Sequence, residues 1–205
     1  MAEKAVYFEC EEIRLEGLLE ERDGTKAVVM CHPHSLYGGN MHNGVVRAVV
    51  HAYADKGYTT LRFNFRGVEM SGGAYGEGIE EQKDVKAALE YVSGLGKTDI
   101  DLGGYSFGAW VCAHGLGNFT EAGRLIMVSP PVSAMDMRSL SYNPKIRLVI
   151  AGSRDEIGDF GTIQEMMEKW NPEAKMRLIE GADHFYGGKT GEIRRIVQEF
   201  LDNPA

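Results

Sequence analysis

The sequence predicts an α/β fold, a mostly parallel β-sheet with helices on both faces. Short apolar runs bounded by turn residues alternate with longer segments in which apolar residues recur every three or four positions. This alternation begins after residue 25 and is typical of parallel strands joined by crossover helices. The chain has 205 residues, 43% of them hydrophobic, with no internal repeat or linker, so we expect a single domain over residues 1–205.

Two short runs open the chain, at residues 6–10 and 13–19, and the second alternates between apolar and polar positions. Their closeness in sequence predicts an antiparallel pair of strands at one edge of the sheet. The later runs are continuously apolar, which is typical of strands buried on both faces. They cover residues 27–31, 59–65, 125–129 and 146–151, and two shorter runs cover residues 100–104 and 176–179.

Apolar residues at helical spacing predict helices with one apolar face each. The positions are Val45, Val46, Val49, Val50 and Tyr53 in the first helix, Val85, Ala88, Leu89 and Val92 in the second, and Ile193, Ile196, Val197, Phe200 and Leu201 in the last. Two further helical segments are residues 109–113 and the packing face formed by Met166, Met167 and Trp170. The longest irregular segment, residues 130–144, has only fifteen residues and leaves no room for a helical lid.

Composition disfavours several functional classes. The 22 basic and 30 acidic residues leave a net charge of −8, which disfavours binding to nucleic acid or to an anionic membrane. Three cysteines without a CxxC pair indicate a reducing compartment rather than a disulfide or zinc scaffold. The first residues do not resemble a secretory signal, and no run of about eighteen apolar residues occurs, so we expect a cytoplasmic protein.

Residues 104–108 read GYSFG and fit the pattern GxSxG, in which a serine lies on a tight turn between a strand and a helix. The flanking residues are glycines because such a turn leaves no space for side chains there. A strand is predicted before this motif and a helix after it, the context that exposes the serine hydroxyl. The alternative is an ordinary turn serine, but the context favours Ser106 as a nucleophile.

A serine hydroxyl needs a base to become a useful nucleophile, and the base needs an orienting carboxylate. His184 follows the last predicted strand, and Asp155 follows the strand at residues 146–151. Because the carboxyl ends of parallel strands meet at one edge of the sheet, Ser106, an acid from this loop and His184 are expected to lie together. The alternatives are Glu156 and Asp159 for the acid, and His51 and His114, which lie on predicted helices, for the base.

Several blocks of the sequence resemble, in order, those of the α/β-hydrolase superfamily, and more narrowly those of small cap-less bacterial hydrolases related to dienelactone hydrolases. The blocks read CHPHSLYGGNMHN, LRFNFRG, GYSFGAW, AGSRDE and GADHF, and the likeness runs from about residue 26 to the C-terminus. It implies an α/β-hydrolase fold without a cap domain, in which Ser106, Asp155 and His184 are nucleophile, acid and base. The implied activity is hydrolysis of an ester or related acyl bond of a small molecule through an acyl-enzyme, without a cofactor.

Alternatives to ester hydrolysis stay open. A thioesterase or a small-peptide hydrolase would use the same triad. A non-catalytic binding module with the same fold is the alternative from another class, and an intact set of three triad residues disfavours it.

Two backbone N–H groups are expected to bind the oxyanion of the reaction intermediate. Phe107 follows the serine and supplies the first, and the turn after the strand at residues 27–31 supplies the second. By position, His34 is the candidate for the second group, with Leu36 as the alternative. Pro33 stands here where the superfamily usually has glycine.

Other side chains near the predicted site have competing interpretations. A metal site is conceivable among Cys31, His32, His34 and His42. We expect no metal there, because adjacent strand residues point to opposite faces of the sheet and Pro33 stiffens the turn. Arg66 is either an ordinary loop charge or a contact for an anionic substrate.

Overall fold

The computed structural model describes residues 2–203, and their strands form one eight-stranded sheet in the order β1-β2-β4-β3-β5-β6-β7-β8. The strands are β1 (Lys4–Cys10), β2 (Ile13–Glu20), β3 (Lys26–Cys31), β4 (Thr59–Phe63), β5 (Asp99–Tyr105), β6 (Ala122–Val128), β7 (Ile146–Gly152) and β8 (Lys175–Ile179). β1 and β2 pair antiparallel at one edge, β2 pairs antiparallel with β4, and the six strands β3 to β8 all run parallel to one another. The predicted mostly parallel sheet and its antiparallel edge pair are confirmed.

Helices cover both faces of this sheet, as predicted. They are α1 (Gly44–Asp55), α2 (Glu81–Gly94), α3 (Phe107–Gly115), α4 (Phe160–Trp170) and α5 (Thr190–Asp202). α1 and α5 pack on one face around one apolar cluster, and α2, α3 and α4 pack on the other around a second cluster. The continuously apolar strands supply side chains to both clusters, which is why the central strands lack polar alternation.

Strand β4 ends at Phe63, two residues earlier than the apolar run predicted. The backbone N–H of Phe65 leaves the sheet and donates to the Nε2 atom of His32 at 3.0 Å. Asn64 remains buried, and its side chain accepts from the N–H of Met41 at 2.7 Å. The apolar run therefore extends past the end of the strand, because Asn64 and Phe65 are buried by contacts outside the sheet.

The segment between β6 and β7 contains no helix or strand within the described part of the chain, so no cap is inserted there. The carboxyl ends of β3, β5, β6 and β7 meet at one open edge of the sheet. None of the helices between residues 2 and 203 is long and apolar enough to cross a bilayer.

Candidate active site

Ser106 lies on a sharp turn between β5 and α3, with a backbone φ of 54° and ψ of −119°. A side chain in this region of backbone space is strained, so the surrounding structure must hold it there. Both motif glycines permit the turn. A Cβ atom at Gly104 would lie 2.5 Å from the Ala109 nitrogen, and one at Gly108 would lie 2.6 Å from the His32 carbonyl oxygen.

Ser106, His184 and Asp155 are brought together in one hydrogen-bonded line, although they come from three separate loops. The Ser106 hydroxyl lies 2.9 Å from the Nε2 atom of His184. On the other side of the ring, Nδ1 lies 2.9 Å and 3.0 Å from the two carboxylate oxygens of Asp155. With Asp155 ionised, Nδ1 carries the proton and donates it to the carboxylate, which leaves Nε2 as the acceptor for the serine. All three residues are buried.

The carboxylate of Asp155 accepts hydrogen bonds on both of its oxygens. Besides His184, Oδ1 accepts the backbone N–H groups of Ile157 at 3.0 Å and Gly158 at 2.7 Å, and Oδ2 accepts the Ser129 hydroxyl at 2.5 Å. Burial by itself would raise the pKa of Asp155. The hydrogen bonds from His184, Ser129 and Gly158 outweigh burial and hold that pKa below its ordinary value. Asp155 is therefore a stable anion.

Three hydroxyl-bearing side chains that sequence reasoning missed support this line. Ser129, which follows β6 with a φ of 44°, donates to Asp155 and lies 2.7 Å from the hydroxyl of Tyr186. Because its single proton goes to the carboxylate, Ser129 accepts from Tyr186. Tyr105 donates to the carbonyl oxygen of His184 at 2.6 Å. Ser129 is the last residue of the run predicted as a strand over residues 125–129, and this position at the carboxyl edge of the sheet was the available signal.

The alternatives for the acid and the base lie elsewhere. Asp159 caps α4, where its carboxylate accepts the N–H of Thr162 at 2.7 Å. His114 contacts the carbonyl oxygen of Asp136 at 2.8 Å, and His51 lies on α1.

Phe107 and His34, whose backbone N–H groups are predicted to bind the oxyanion, both belong to the wall of the cavity above Ser106. Phe107 is the first residue of α3, where a backbone N–H has no acceptor within its own helix. His34 lies at the start of the loop after β3, and both residues line the same cavity as Ser106 and His184. The N–H of the alternative, Leu36, is 3.3 Å from the Nδ1 atom of His34 and donates to it. This engagement favours His34 over Leu36.

The loop that carries His34 is held in place by short-range packing. A Cβ atom at Gly39 would overlap the carbonyl group of Pro33, so this position requires glycine. The His34 ring packs at a centroid distance of 4.7 Å on Phe107, and its Nε2 atom lies 3.2 Å from the Tyr75 hydroxyl.

The ring of His32 bonds to two backbone groups and thereby supports the fold. Its Nε2 atom accepts the N–H of Phe65, so its Nδ1 atom carries the proton and donates to the carbonyl oxygen of Pro33 at 2.6 Å. Burial lowers the pKa of His32 to about 4, so the ring is neutral at physiological pH. Within residues 2–203, no group of three or more His, Cys, Asp or Glu side chains is placed to hold a metal ion.

Arg66 lies away from the cavity, contrary to the interpretation that it contacts an anionic substrate. Its guanidinium group pairs with Asp84 at 2.7 Å and with Glu80 at 3.0 Å. It is only 8% exposed. The arginine therefore joins the loop after β4 to helix α2.

Above Ser106 lies a cavity of about 510 Å³. Its walls come from the His34 loop, from the irregular segment after β6, and from residues beside Asp155 and His184. They include Tyr37, Met135, Ile157 and Phe185. A cavity of this size is large enough for a small molecule.

No family model matches the sequence. An uncharacterized protein of Rickettsia prowazekii is 31% identical over 209 residues, which are 96% of this chain and 87% of that protein. An alpha-beta serine hydrolase homologue from Coxiella burnetii has a similar structure, with a TM-score of 0.89, 31% identity and 98% of each chain covered. An α/β serine hydrolase without lid from Xanthomonas campestris has a TM-score of 0.89 and 29% identity, covering 100% of this chain and 97% of that one.

Proposed function

Because the chain belongs to the α/β-hydrolase superfamily, we propose that it is a serine hydrolase that cleaves a carboxylic ester of a small molecule through an acyl-enzyme. One observation carries this proposal. The Ser106 hydroxyl, the His184 imidazole and the ionised Asp155 carboxylate form an unbroken hydrogen-bonded line that opens into a cavity. A serine activated in this way attacks carbonyl carbon atoms.

Acylation follows from the directions of these hydrogen bonds. The Ser106 oxygen bonds to the ester carbonyl carbon while Nε2 of His184 takes the hydroxyl proton. Asp155 accepts from Nδ1 throughout, so it fixes the tautomer and stabilises the imidazolium ion. The backbone N–H groups of Phe107 and His34 donate to the carbonyl oxygen as it becomes negative. His184 then returns its proton to the leaving alkoxide, and the alcohol departs.

Deacylation repeats these chemical steps with water as the nucleophile. Water bonds to the acyl carbon while His184 takes one of its protons, and the collapse of the second intermediate releases the acid. The imidazolium ion then returns its proton to the Ser106 oxygen. Free enzyme is regenerated.

Reaction with a fluorophosphonate probe tests this proposal, because the probe labels activated serines irrespective of the acyl group they prefer. We expect stoichiometric labelling of Ser106 together with hydrolysis of p-nitrophenyl acetate. Ser106→Ala should abolish the labelling and lower kcat by up to about 10⁶ without unfolding the protein. Hydrolysis by Ser106→Ala at the wild-type rate, or absence of labelling in the wild type, would contradict the mechanism. A parallel acyl thioester assay separates esterase from thioesterase activity.

A further inference from the structure

The walls of the cavity above Ser106 carry no Lys, Arg, Asp or Glu side chain among residues 2–203. They consist of backbone, apolar and aromatic groups and of uncharged polar groups, which come from Ser106, His34, His184, Asn43 and two tyrosines. We propose that the acyl substrate of this site is uncharged and carries a compact apolar or aromatic group beside the scissile bond. This proposal rests on the serine hydrolase activity proposed above and specifies its substrate class.

Arg66, the cation that the sequence offered as a contact for an anionic substrate, is not available to a substrate. Arg66 is buried and engages the carboxylate of Asp84 through both its Nε and Nη2 atoms, with Glu80 as a further partner. Arg66 does not line the cavity, and its guanidinium group is held by these two carboxylates. An anionic substrate group would therefore enter without a counter-ion.

Two buried carboxylates act on side chains at or near the cavity wall. Asp155 accepts a hydrogen bond from His184, and the charge of Glu81 acts electrostatically on His34 and Tyr75. Glu81 is fully buried, and its two carboxylate oxygens accept the N–H groups of Gly76 at 2.8 Å and Gly78 at 2.7 Å. These carboxylates repel an anion in the cavity, and the net charge of −8 adds to the repulsion.

Aromatic groups at the mouth of the cavity favour an apolar substrate. The side chains of Tyr37 and Phe185 are 87% and 75% exposed, and both line the cavity. Large aromatic side chains left in water gain free energy when an apolar group covers them. A neutral acyl or alcohol group gains this contact, whereas a carboxylate loses its hydration without a new partner.

Two esters with the same leaving group test the proposal directly. Ethyl butyrate and monoethyl succinate have acyl groups of equal length, but the second ends in a carboxylate, and neither ester hydrolyses appreciably without enzyme at neutral pH. We expect kcat/KM for the butyrate to exceed that for the succinate by at least about 100-fold, because the unpaired charge must be desolvated in the transition state. Values within about threefold, or a preference for the succinate, would overturn the inference while leaving the hydrolase intact. Failure of both esters together with absent fluorophosphonate labelling would instead overturn the proposed function.

A charge added to the wall provides a matched pair of variants. Ala134 is exposed and lines the cavity, whereas its exposed neighbour Ser133 does not. Ala134→Arg should lower the butyrate-to-succinate ratio by about tenfold, because the new cation pairs with the substrate carboxylate. Ser133→Arg adds the same charge outside the cavity and should change the ratio by less than about twofold. Equal ratios in the two variants would show that the cavity wall does not decide the preference.

Discussion

Asp155 is held in one orientation because four donors share its two oxygens. His184, Ile157, Gly158 and Ser129 all donate to it, and the side chain is almost completely buried. A carboxylate in this environment cannot rotate without leaving a buried donor unsatisfied. The direction in which the His184 ring faces Ser106 is consequently fixed before a substrate arrives.

Replacement of Asp155 by asparagine tests its assignment as the acid. Asp155→Asn should lower kcat/KM by about 10⁴, because the amide no longer holds the imidazole in the required tautomer. Asp159→Asn is the control, since asparagine also caps helices and should preserve both α4 and the activity. Ester assays and thermal melting of both variants provide the measurement. The reverse ranking would transfer the role of acid to Asp159.

Ser129 should act on the reaction through Asp155. Ser129→Ala removes one of the donors that fix the orientation of Asp155, so the His184 ring is held less well and we expect kcat/KM to fall about tenfold to a hundredfold. The carboxylate then becomes a stronger base and stabilises the imidazolium ion more strongly, so the acid limb of the pH–rate profile should move to higher pH. Tyr186→Phe removes a hydroxyl that reaches Asp155 only through Ser129, so it should move that limb less. A lower rate with an unshifted profile would mean that Ser129 only supports the fold.

At the scale of the elements, His32 joins the ends of two neighbouring parallel strands. It lies directly after β3 and accepts a hydrogen bond from Phe65, which lies just beyond β4. Protonation of the ring would turn this acceptor into a donor facing another donor. The link between the two loops therefore depends on a neutral imidazole.

This link predicts a pH dependence of folding stability. The folded pKa of His32 is about 4, compared with an ordinary value of 6.5, so between these values the unfolded chain binds the proton and the folded chain does not. The contribution of the neutral His32 ring to the free energy of unfolding is fully present above pH 6.5. It is lost as the pH falls toward 4, and the total loss is about 3 kcal/mol. Urea unfolding at pH 7.5, 6 and 5 should show this slope.

The matched variant is His32→Gln, which keeps an acceptor for the Phe65 N–H but does not titrate. The slope of its unfolding free energy against pH should be markedly smaller, even if the variant is less stable overall. His34, whose pKa is also lowered by burial, contributes a slope of the same sign in both proteins. Equal slopes in the two proteins would show that another group is responsible.

The elements differ in how far the sequence could predict them. Strands and helices follow from apolar periodicity, and residues just after parallel strands must share a sheet edge, so Ser106, Asp155 and His184 could be placed together in advance. The contact between Ser129 and Tyr186 depends on two side-chain orientations and on residues 57 positions apart in the chain. Burial of Arg66 depends in the same way on Asp84. Such partners are set by packing, which local sequence does not report.

Considered as a whole, the molecule places its candidate site at an uncovered edge. Both faces of the sheet pack against helices. The segment between β6 and β7 contains no helix or strand that could close over Ser106. The larger apolar residues of this segment pack against the core instead. Met137 and Leu140 are buried, and Val132 and Met135 pack against the same cluster, while only Met135 also lines the cavity.

An open cavity of this kind should favour short acyl groups. Each methylene group transferred from water to an apolar wall gains about 0.8 kcal/mol, but a methylene that stays in water contributes nothing to transition-state binding. A cavity of about 510 Å³ that is open to solvent accommodates a compact acyl group but cannot enclose a long chain. We therefore expect p-nitrophenyl esters from acetate to butyrate to have kcat/KM values at least as high as those of longer esters. The measurement is a chain-length series in a detergent-free assay, with Ser106→Ala as the background. A steady rise in kcat/KM from C4 to C12 would require an apolar channel and would contradict the open site.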